Sequence, residues 1–206
     1  MFFAAPEQCP VVVDMVFLLD TSSNLLSTKN FENQKLFIQR IISRFNGTNS
    51  RINIIPYSDI PHEAKILTTE GKSVGEFAEL VRGVQLLMGG CTRHDLALNK
   101  SYSYFLSHGR PTPRQRVLVL LTTGKQPQHP QMTPEYIPIE ATTALLKEAE
   151  VITFAIGVGD NVQVQDLENI ATEPSKVHLF EGFDNITNDA MVVYKEICKA
   201  TGKMKN

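Results

Sequence analysis

The stretch Val11-Val12-Val13-Asp14-Met15-Val16-Phe17-Leu18-Leu19-Asp20-Thr21-Ser22-Ser23-Asn24 decides the fold of this chain. Its first part is an almost continuous run of β-branched and apolar residues, which is typical of a strand buried on both faces of a parallel sheet. The turn after such a strand falls at the carboxyl edge of the sheet, where open α/β folds place their ligand sites. Asp20, Ser22 and Asn24 would present three oxygen-bearing side chains there, and hard divalent cations prefer such ligands.

Length and charge exclude several classes of protein. The 206 residues fit one domain of ordinary size, with a formal net charge of −2 and a pI near 6.2. This balance gives no reason to expect nucleic acid or an anionic membrane surface as a partner. No apolar run approaches the ~20 residues of a membrane-spanning helix. The opening residues 1–6 are too short for a signal peptide, so we interpret them as an artificial end or the remnant of a larger chain.

Apolar runs that predict strands alternate with amphipathic segments that predict helices along the chain. This alternation predicts an α/β fold with a doubly wound, mostly parallel sheet flanked by helices. Pro56 suggests that the ladder of the second strand stops there. We expect residues 1–10 to be an extension, 11–201 the domain and 202–206 a tail. After the opening strand, the predicted strands are 51–58, 63–67, 116–123, 150–157 and 177–180, and the predicted helices are 31–45, 73–84, 93–107, 139–149, 164–171 and 184–200.

Four segments, in this order, carry a family resemblance: Val16-Phe17-Leu18-Leu19-Asp20-Thr21-Ser22, Gly89-Gly90-Cys91-Thr92, Val117-Leu118-Val119-Leu120-Leu121-Thr122-Thr123-Gly124-Lys125 and Ile152-Thr153-Phe154-Ala155-Ile156-Gly157-Val158-Gly159. Each is weak alone, but together they resemble the von Willebrand factor type A domain, also called the integrin I-like domain. The resemblance covers nearly the whole chain. It implies a Rossmann-like, six-stranded sheet with one short antiparallel edge strand.

The resemblance also implies a metal-ion-dependent adhesion site (MIDAS) at the top of the sheet. In the family, an Asp-x-Ser-x-Ser motif, a loop threonine and an aspartate hold a cation, usually Mg²⁺, and an acidic residue of the partner completes its coordination. Asp20 and Ser22 match the first motif, and Thr92 matches the loop threonine. Asn24 stands where the family has serine, and Thr123 stands where it has aspartate.

These two departures leave Asp20 as the one carboxylate of the motif. Because Mg²⁺ is usually held by charged oxygens, we expect a weakened or lost divalent-cation site. Asn24 could still offer a carbonyl oxygen and Thr123 a hydroxyl. Asp95 could offer a replacement carboxylate, although it would lie one helical turn deeper. Two interpretations stay open: weak binding of Mg²⁺ or another divalent cation, and a hydrogen-bonded remnant, which we favour.

Cysteines and glycosylation triplets bear on the compartment. Cys9 and Cys198 flank the domain, and domain termini often lie close together. We therefore predict a disulfide between them, with two unrelated thiols as the alternative. Asn46 and Asn185 head N-x-S/T triplets, which are glycosylated only in a secreted chain. Together these features favour a secreted protein of the extracellular matrix.

Enzymatic motifs are missing from the sequence. No nucleophile elbow, phosphate-binding loop or dinucleotide fingerprint follows a predicted strand. Cys91 and His94 have the spacing of half a zinc site, but no completing pair is evident, and we predict packing there. We therefore predict that the chain is not an enzyme.

The leading hypothesis is a non-catalytic adhesion module that binds a matrix partner, with collagen or sister A-domains as candidates. Three alternatives remain: a structural or self-associating spacer, an intracellular assembly scaffold and a metal-dependent hydrolase. Integrin-type domains also change shape by moving their last helix. A bridge between Cys9 and Cys198 would oppose that motion, so we predict a rigid domain.

Overall fold

Six strands and six α-helices alternate along the chain in a computed structural model that describes residues 11–45, 49–61, 65–68, 74–86, 89–110, 115–127 and 135–202. The strands are β1 (Val13–Asp20), β2 (Arg51–Tyr57), β3 (Lys65–Thr68), β4 (Gln115–Thr122), β5 (Val151–Val158) and β6 (Val177–Phe180). The helices are α1 (Thr28–Ile42), α2 (Val74–Arg82), α3 (His94–His108), α4 (Ile139–Glu148), α5 (Val164–Ile170) and α6 (Phe183–Gly202).

The strands form one sheet in the order β3-β2-β1-β4-β5-β6. All neighbours pair in parallel except β3, which is antiparallel to β2 at the edge. This confirms the predicted doubly wound sheet. The chain leaves β1 toward β2 on one side and later returns to β4 on the other. The strand order therefore switches between β1 and β4, and a crevice opens outside their carboxyl ends, here called the top edge.

Alternate residues of the central strands enter two separate hydrophobic layers. In β1, Met15, Phe17 and Leu19 pack with helices α1, α2 and α6 on one face. Val16 and Leu18 pack with α3, α4 and α5 on the other face. Every residue of β1 is buried, so the strand is held from both sides and its last residue has a fixed position. Within the described ranges, no helix is long and apolar enough to cross a bilayer.

Two local predictions were wrong. The β1–β2 ladder does not stop at Pro56, because Leu19 pairs with Pro56 and Asp20 with Tyr57. Among the described residues, the antiparallel ladder to β3 reaches only to Ile54, which pairs with Lys65, so no described β3 residue pairs with Pro56. The first helix does not run to Phe45 as α-helix. It ends at Ile42 and continues as a short 3₁₀ turn, a common way to tighten a helix end.

Candidate functional site

Asp20 lies at the centre of the top edge and is fully buried. Its Oδ1 accepts the backbone N–H of Ser22 at 2.8 Å. Its Oδ2 accepts both the backbone N–H and the hydroxyl of Thr123, each at 2.7 Å. Burial raises the pKa of the Asp20 carboxyl, and the hydrogen bonds from Ser22 and Thr123 oppose that rise. The protein's own donors therefore already satisfy both oxygens of this carboxylate.

A chain of hydrogen bonds joins the other three predicted site residues. The Asn24 amide Nδ2 donates to Thr92 Oγ1 at 3.1 Å, and Thr92 Oγ1 donates to Ser22 Oγ at 3.2 Å. Asn24 thus turns an amide donor toward Thr92, whereas its carbonyl oxygen was the atom expected to serve a cation. The structure brings all five predicted residues together, and we call Asp20, Ser22, Asn24, Thr92 and Thr123 the top cluster.

Backbone contacts between loops hold the top cluster in place. The N–H of Gly89 donates to the carbonyl of Thr21 at 3.1 Å, and Ser23 Oγ donates to the carbonyl of Gly90 at 2.6 Å. Gly124 permits the close approach, because a Cβ there would lie 2.4 Å from Asn24 Nδ2 and 2.7 Å from Thr92 Oγ1. A glycine is therefore required beside the cluster.

Two ring-bearing residues lie below the cluster: His94, for which the sequence predicted packing, and Tyr57, which was not singled out from the sequence. His94 is fully buried, and its Nε2 lies 2.7 Å from Thr122 Oγ1. Burial lowers the pKa of His94 to about 4, so the ring is neutral at pH 7. The Tyr57 hydroxyl donates to the carbonyl of Leu121 at 3.1 Å. Burial, followed by the charge of Asp20, raises the pKa of Tyr57 well above its usual value.

Asp95 does not offer the replacement carboxylate that the sequence suggested. It is fully buried and forms an ion pair with Arg93, whose Nη2 lies 2.7 Å from Asp95 Oδ2. Asp95 Oδ1 also accepts from Gln126 Nε2 at 2.9 Å, and Oδ2 accepts the backbone N–H of Ile137 at 3.1 Å. This network fastens the segments after β4 and before α4 to the start of α3, which gives Asp95 a structural role.

Cys91 and His94 have different neighbours. Cys91 carries a free thiol and is partly exposed, and its backbone N–H donates to the carboxylate of Asp59. The pKa of the Cys91 thiol is raised, first by burial and then by Asp59. His94 is directed to Thr122 instead. In the part of the chain that the structure describes, no three His, Cys, Asp or Glu side chains group closely enough to hold a metal ion.

The donor set of the top cluster fits a divalent cation poorly. A dication here would find one carboxylate, and that carboxylate already accepts three hydrogen bonds from Ser22 and Thr123. The Thr123 hydroxyl donates to Asp20, which the side chain of an ionised aspartate at this position could not do. Asn24 directs an N–H group, which repels a cation, toward Thr92. The residues present therefore form a hydrogen-bonded arrangement that is complete without an ion.

A groove of about 400 Å³ opens beside the top cluster. Four segments form it: the segment from the end of β1 to the start of α1, the residue after β4, the segment after β5 and the segment between β6 and α6. We call it the top groove, and its walls include Asn24, Leu26, Thr123, Asp160, Asn161 and Glu181. An adjoining depression of about 420 Å³ shares Asn24, Asp160 and Asn161 and adds Lys125.

Leu26 stands at the mouth of the top groove in an unusual state. Its side chain is 81% exposed, and its backbone has a φ of 64°, in the left-handed region that leucine rarely adopts. A leucine gains nothing for folding in such a place, because it buries little apolar surface and occupies a strained conformation. No sequence pattern indicated this conformation, because it depends on the turn between β1 and α1.

The remaining predicted residues are placed less fully. Cys9 and Asn46 lie outside the described residues. Cys198 lies on α6 and is partly buried against the core on the α1 side of the sheet. Asn185 lies near the start of α6, and its side chain lies outside the described part. The disulfide and both glycosylation sites therefore stay predictions.

One residue of this surface could have been found from the sequence. Asp59 follows the end of β2 at the same edge as Asp20, and it accepts the backbone N–H of Gly90 at 3.0 Å. The rule that selected the residues after β1 and β4, polar side chains after a buried parallel strand, applies to it equally. The hydrogen bonds from Cys91, and to a smaller extent that from Gly90, lower the pKa of Asp59, so it stays ionised.

A family profile for the von Willebrand factor type A domain matches residues 14–189, most of the chain. The chain belongs to the von Willebrand factor type A family. This confirms the family that the four sequence segments indicated. In this A-domain the top cluster consists of the residues for which the resemblance predicted a cation site.

Relatives of this A-domain include two much larger proteins. The mouse (Mus musculus) collagen alpha-4(VI) chain is 28% identical over 193 residues, which cover 92% of this chain and 8% of the collagen. Human (Homo sapiens) integrin alpha-X is 26% identical over 186 residues, which cover 86% of this chain and 15% of the integrin. The chain therefore spans less than a fifth of the length of these relatives.

Solved structures show the same fold. Proximal thread matrix protein 1 from the mussel byssus, in a structure with a zinc-occupied MIDAS motif, superimposes with a TM-score of 0.76. It is 24% identical in sequence, and the match covers 93% of this chain and 47% of that one. At this identity the likeness shows the fold alone.

Proposed function

We propose that this A-domain is a non-catalytic protein-binding module of an extracellular matrix protein, with a divalent-cation site that is weakened or lost. The observation that carries the proposal is Leu26, an 81% exposed leucine in a strained backbone conformation at the mouth of the top groove. Strained residues persist where the surrounding structure holds them, and they concentrate at binding sites. An exposed apolar side chain beside polar walls is the kind of anchor that protein interfaces bury.

The relatives support this class of function. Similar domains occur in collagen and integrin chains, which favours an extracellular protein-binding role over a catalytic one. The site chemistry agrees, because His94, which lies 2.7 Å from Thr122 Oγ1 below the cluster, is fully buried and so cannot contact a bound substrate. Collagen is one candidate partner and a sister A-domain is another.

The predicted bridge between Cys9 and Cys198 belongs to the same proposal. Cys91 carries a free thiol, which leaves the other two of the three cysteines as the pair available. A disulfide would fit the secreted setting. With Asn46 and Asn185 as glycosylation acceptors, it would make the domain a secreted glycoprotein.

The test is a binding assay with matched variants. Immobilised domain is exposed to a panel of purified collagens and other matrix proteins, once with Mg²⁺ and once with EDTA. We expect at least one saturable partner whose binding is the same in both buffers. Leu26→Asp should weaken that binding at least tenfold, whereas Leu145→Asp, which changes a leucine exposed on α4, should leave it unchanged.

Three outcomes would contradict the proposal. If Leu26→Asp and Leu145→Asp weaken binding equally, the interface is not at the top groove. Loss of binding in EDTA would show a functioning cation site. Absence of any partner, together with concentration-dependent assembly in light scattering, would favour the self-associating spacer.

A further inference from the structure

We infer that the partner places a positively charged side chain, arginine or lysine, in the top groove, where a cation-loaded site would take a carboxylate. The inference rests on the proposed protein-binding function and names the chemistry of the partner. It begins from the poor fit between the top cluster and a dication. Without a cation, the top cluster holds no positive charge to attract a carboxylate, since its one charged group is Asp20.

The first support is the sign of the charge that the cluster keeps. Asp20 is fully buried, and the groups around its oxygens are neutral donors from Ser22 and Thr123. Neutral donors stabilise a carboxylate but do not cancel its charge. Thr123, which donates to Asp20, is also part of the groove wall. The one charged group of the cluster behind this wall is therefore an acid.

The second support is the lining of the groove. Its charged walls are Asp160, after β5, and Glu181, after β6, and the lining within the described residues contains no lysine or arginine. Both side chains are exposed. Lys125 lies in the adjoining depression and can offset one of these charges. Two exposed carboxylates, with the buried Asp20 behind the wall, therefore stand against one ammonium group around the two depressions.

Two other cavities among the described residues do not share this one-sided charge. The cavity of about 440 Å³ beside α6 is lined by Glu173 and Glu196 together with Lys176 and Lys199. The cavity of about 240 Å³ between α4 and α5 is lined by Glu140 and Lys147. Balanced charges of this kind are ordinary for a surface. Charge complementarity therefore selects the top groove as the place for a cationic group.

Leu26 favours a particular kind of residue next to the basic residue in the partner. It is apolar, exposed and at the mouth of the groove, so an aliphatic residue next to the arginine or lysine can pack on it. Asn24 and Asn161 supply amide groups within the groove that can hydrogen-bond the backbone of the bound segment. The segment that fits is a basic residue flanked by an aliphatic one.

Matched peptides test this inference. Ac-Gly-Leu-Arg-Gly-NH₂ and Ac-Gly-Leu-Glu-Gly-NH₂ are titrated into ¹⁵N-labelled domain in EDTA, and backbone amide shifts are followed. The arginine peptide should move Leu26, Gly159, Asn161 and Gly182 saturably, and the glutamate peptide should not. Raising the salt concentration from 50 to 300 mM should weaken the arginine response severalfold, because exposed charges are screened.

A charge-neutral variant and a matched control complete the test. Asp160→Asn with Glu181→Gln should weaken the arginine response at least fivefold. Glu148→Gln with Glu168→Gln removes the same number of exposed charges from α4 and α5 and should leave the response unchanged.

Four results would overturn the inference. These are no saturable response to arginine, an equal response to glutamate, a glutamate response that appears with 5 mM Mg²⁺, or an unchanged response in the Asp160→Asn, Glu181→Gln variant. The matrix-protein assay with Leu26→Asp is independent of these peptides. It can therefore succeed while the charge inference fails.

Discussion

Thr123 determines at the residue scale whether the top cluster needs an ion. Its hydroxyl and its N–H both donate to Asp20 Oδ2, each at 2.7 Å. A carboxylate at the same position would face Asp20 across a similar distance. Two buried carboxylates that close together require a cation or a proton between them. On this argument, an aspartate at position 123 would make the site depend on a cation, whereas Thr123 leaves it stable without one.

Substitution of Thr123 makes this difference measurable. Thr123→Val keeps the shape and removes a hydrogen bond to a charged group, so the free energy of unfolding should fall by about 1.5–3 kcal/mol. Without metal, the free energy of unfolding of Thr123→Asp should fall by at least as much, because two negative charges are then brought together. Urea unfolding with 10 mM Mg²⁺ or Mn²⁺ should restore Thr123→Asp and leave Thr123→Val unchanged. Equal behaviour of the two variants would contradict the account.

His94 predicts how stability depends on pH. Its pKa is about 4 in the folded chain, against 6.5 in the unfolded chain, because burial disfavours the charged ring. At pH values between 4 and 6.5, His94 is mostly protonated in the unfolded chain and mostly neutral in the folded chain. The free energy of unfolding should therefore fall as the pH drops from 6.5 to 4, by roughly 3 kcal/mol from this residue.

The measurement is urea unfolding at several pH values for the wild type and for His94→Gln. Glutamine can still reach Thr122 with a donor but does not titrate. The variant should therefore show a shallower loss of stability across this window. Parallel curves for the two proteins would show that other groups cause the acid sensitivity.

At the scale of elements, the sequence was most informative where burial is complete. Strands β1, β4 and β5 are apolar on both faces, so their runs stood out from the flanking loops. The prediction that the ladder stops at Pro56 was wrong, because the effect of a proline depends on which strand residue lies opposite it. That pairing is set by the tertiary structure and is not visible in the local sequence. The switch between α-helix and 3₁₀ turn after Ile42 likewise depends on packing.

The sequence predicted which residues come together in the top cluster, but not which atoms they present to one another. The resemblance named Asp20, Ser22, Asn24, Thr92 and Thr123, and the structure places them together. Whether Asn24 offers its oxygen or its amide N–H depends on the neighbour it meets, and that neighbour is Thr92. The backbone strain at Leu26 and the buried ion pair of Arg93 and Asp95 depend on loop geometry in the same way.

Helix α6 carries the prediction that belongs to this scale. It contributes buried side chains at Ile186, Ala190, Val193 and Ile197 to the core beside α1. With a bridge from Cys9 to Cys198, Cys198→Ala should lower the free energy of unfolding by about 2–5 kcal/mol. Cys91→Ala, the matched control, removes a free, partly exposed thiol and should cost little.

Thiol counting decides the same point independently. Denatured, unreduced protein should show one reactive thiol per chain, and reduced protein three. Three reactive thiols before reduction would exclude the bridge, and the stability of Cys198→Ala would then match that of Cys91→Ala.

At the scale of the whole molecule, we expect a rigid domain. The hydrogen bonds of the top cluster are satisfied without an ion, so we expect no second conformation that a cation would favour. The predicted bridge would also hold α6 against the start of the sheet. A ligand shifts a conformational equilibrium only by its differential affinity for the two states. Amide shifts along α6 should therefore be the same in EDTA and in 10 mM Mg²⁺, and displacement of α6 by metal would contradict this view.

The most direct test of the central claim, that this face functions without a cation, is isothermal titration of Mg²⁺ and Mn²⁺ into the metal-free wild-type domain. Asn24→Ser combined with Thr123→Asp, which restores the family pattern, serves as the positive control. The account predicts no saturable heat for the wild type up to 10 mM metal and saturable binding for the double variant. Saturable binding of either ion by the wild type at or below millimolar concentration would contradict it.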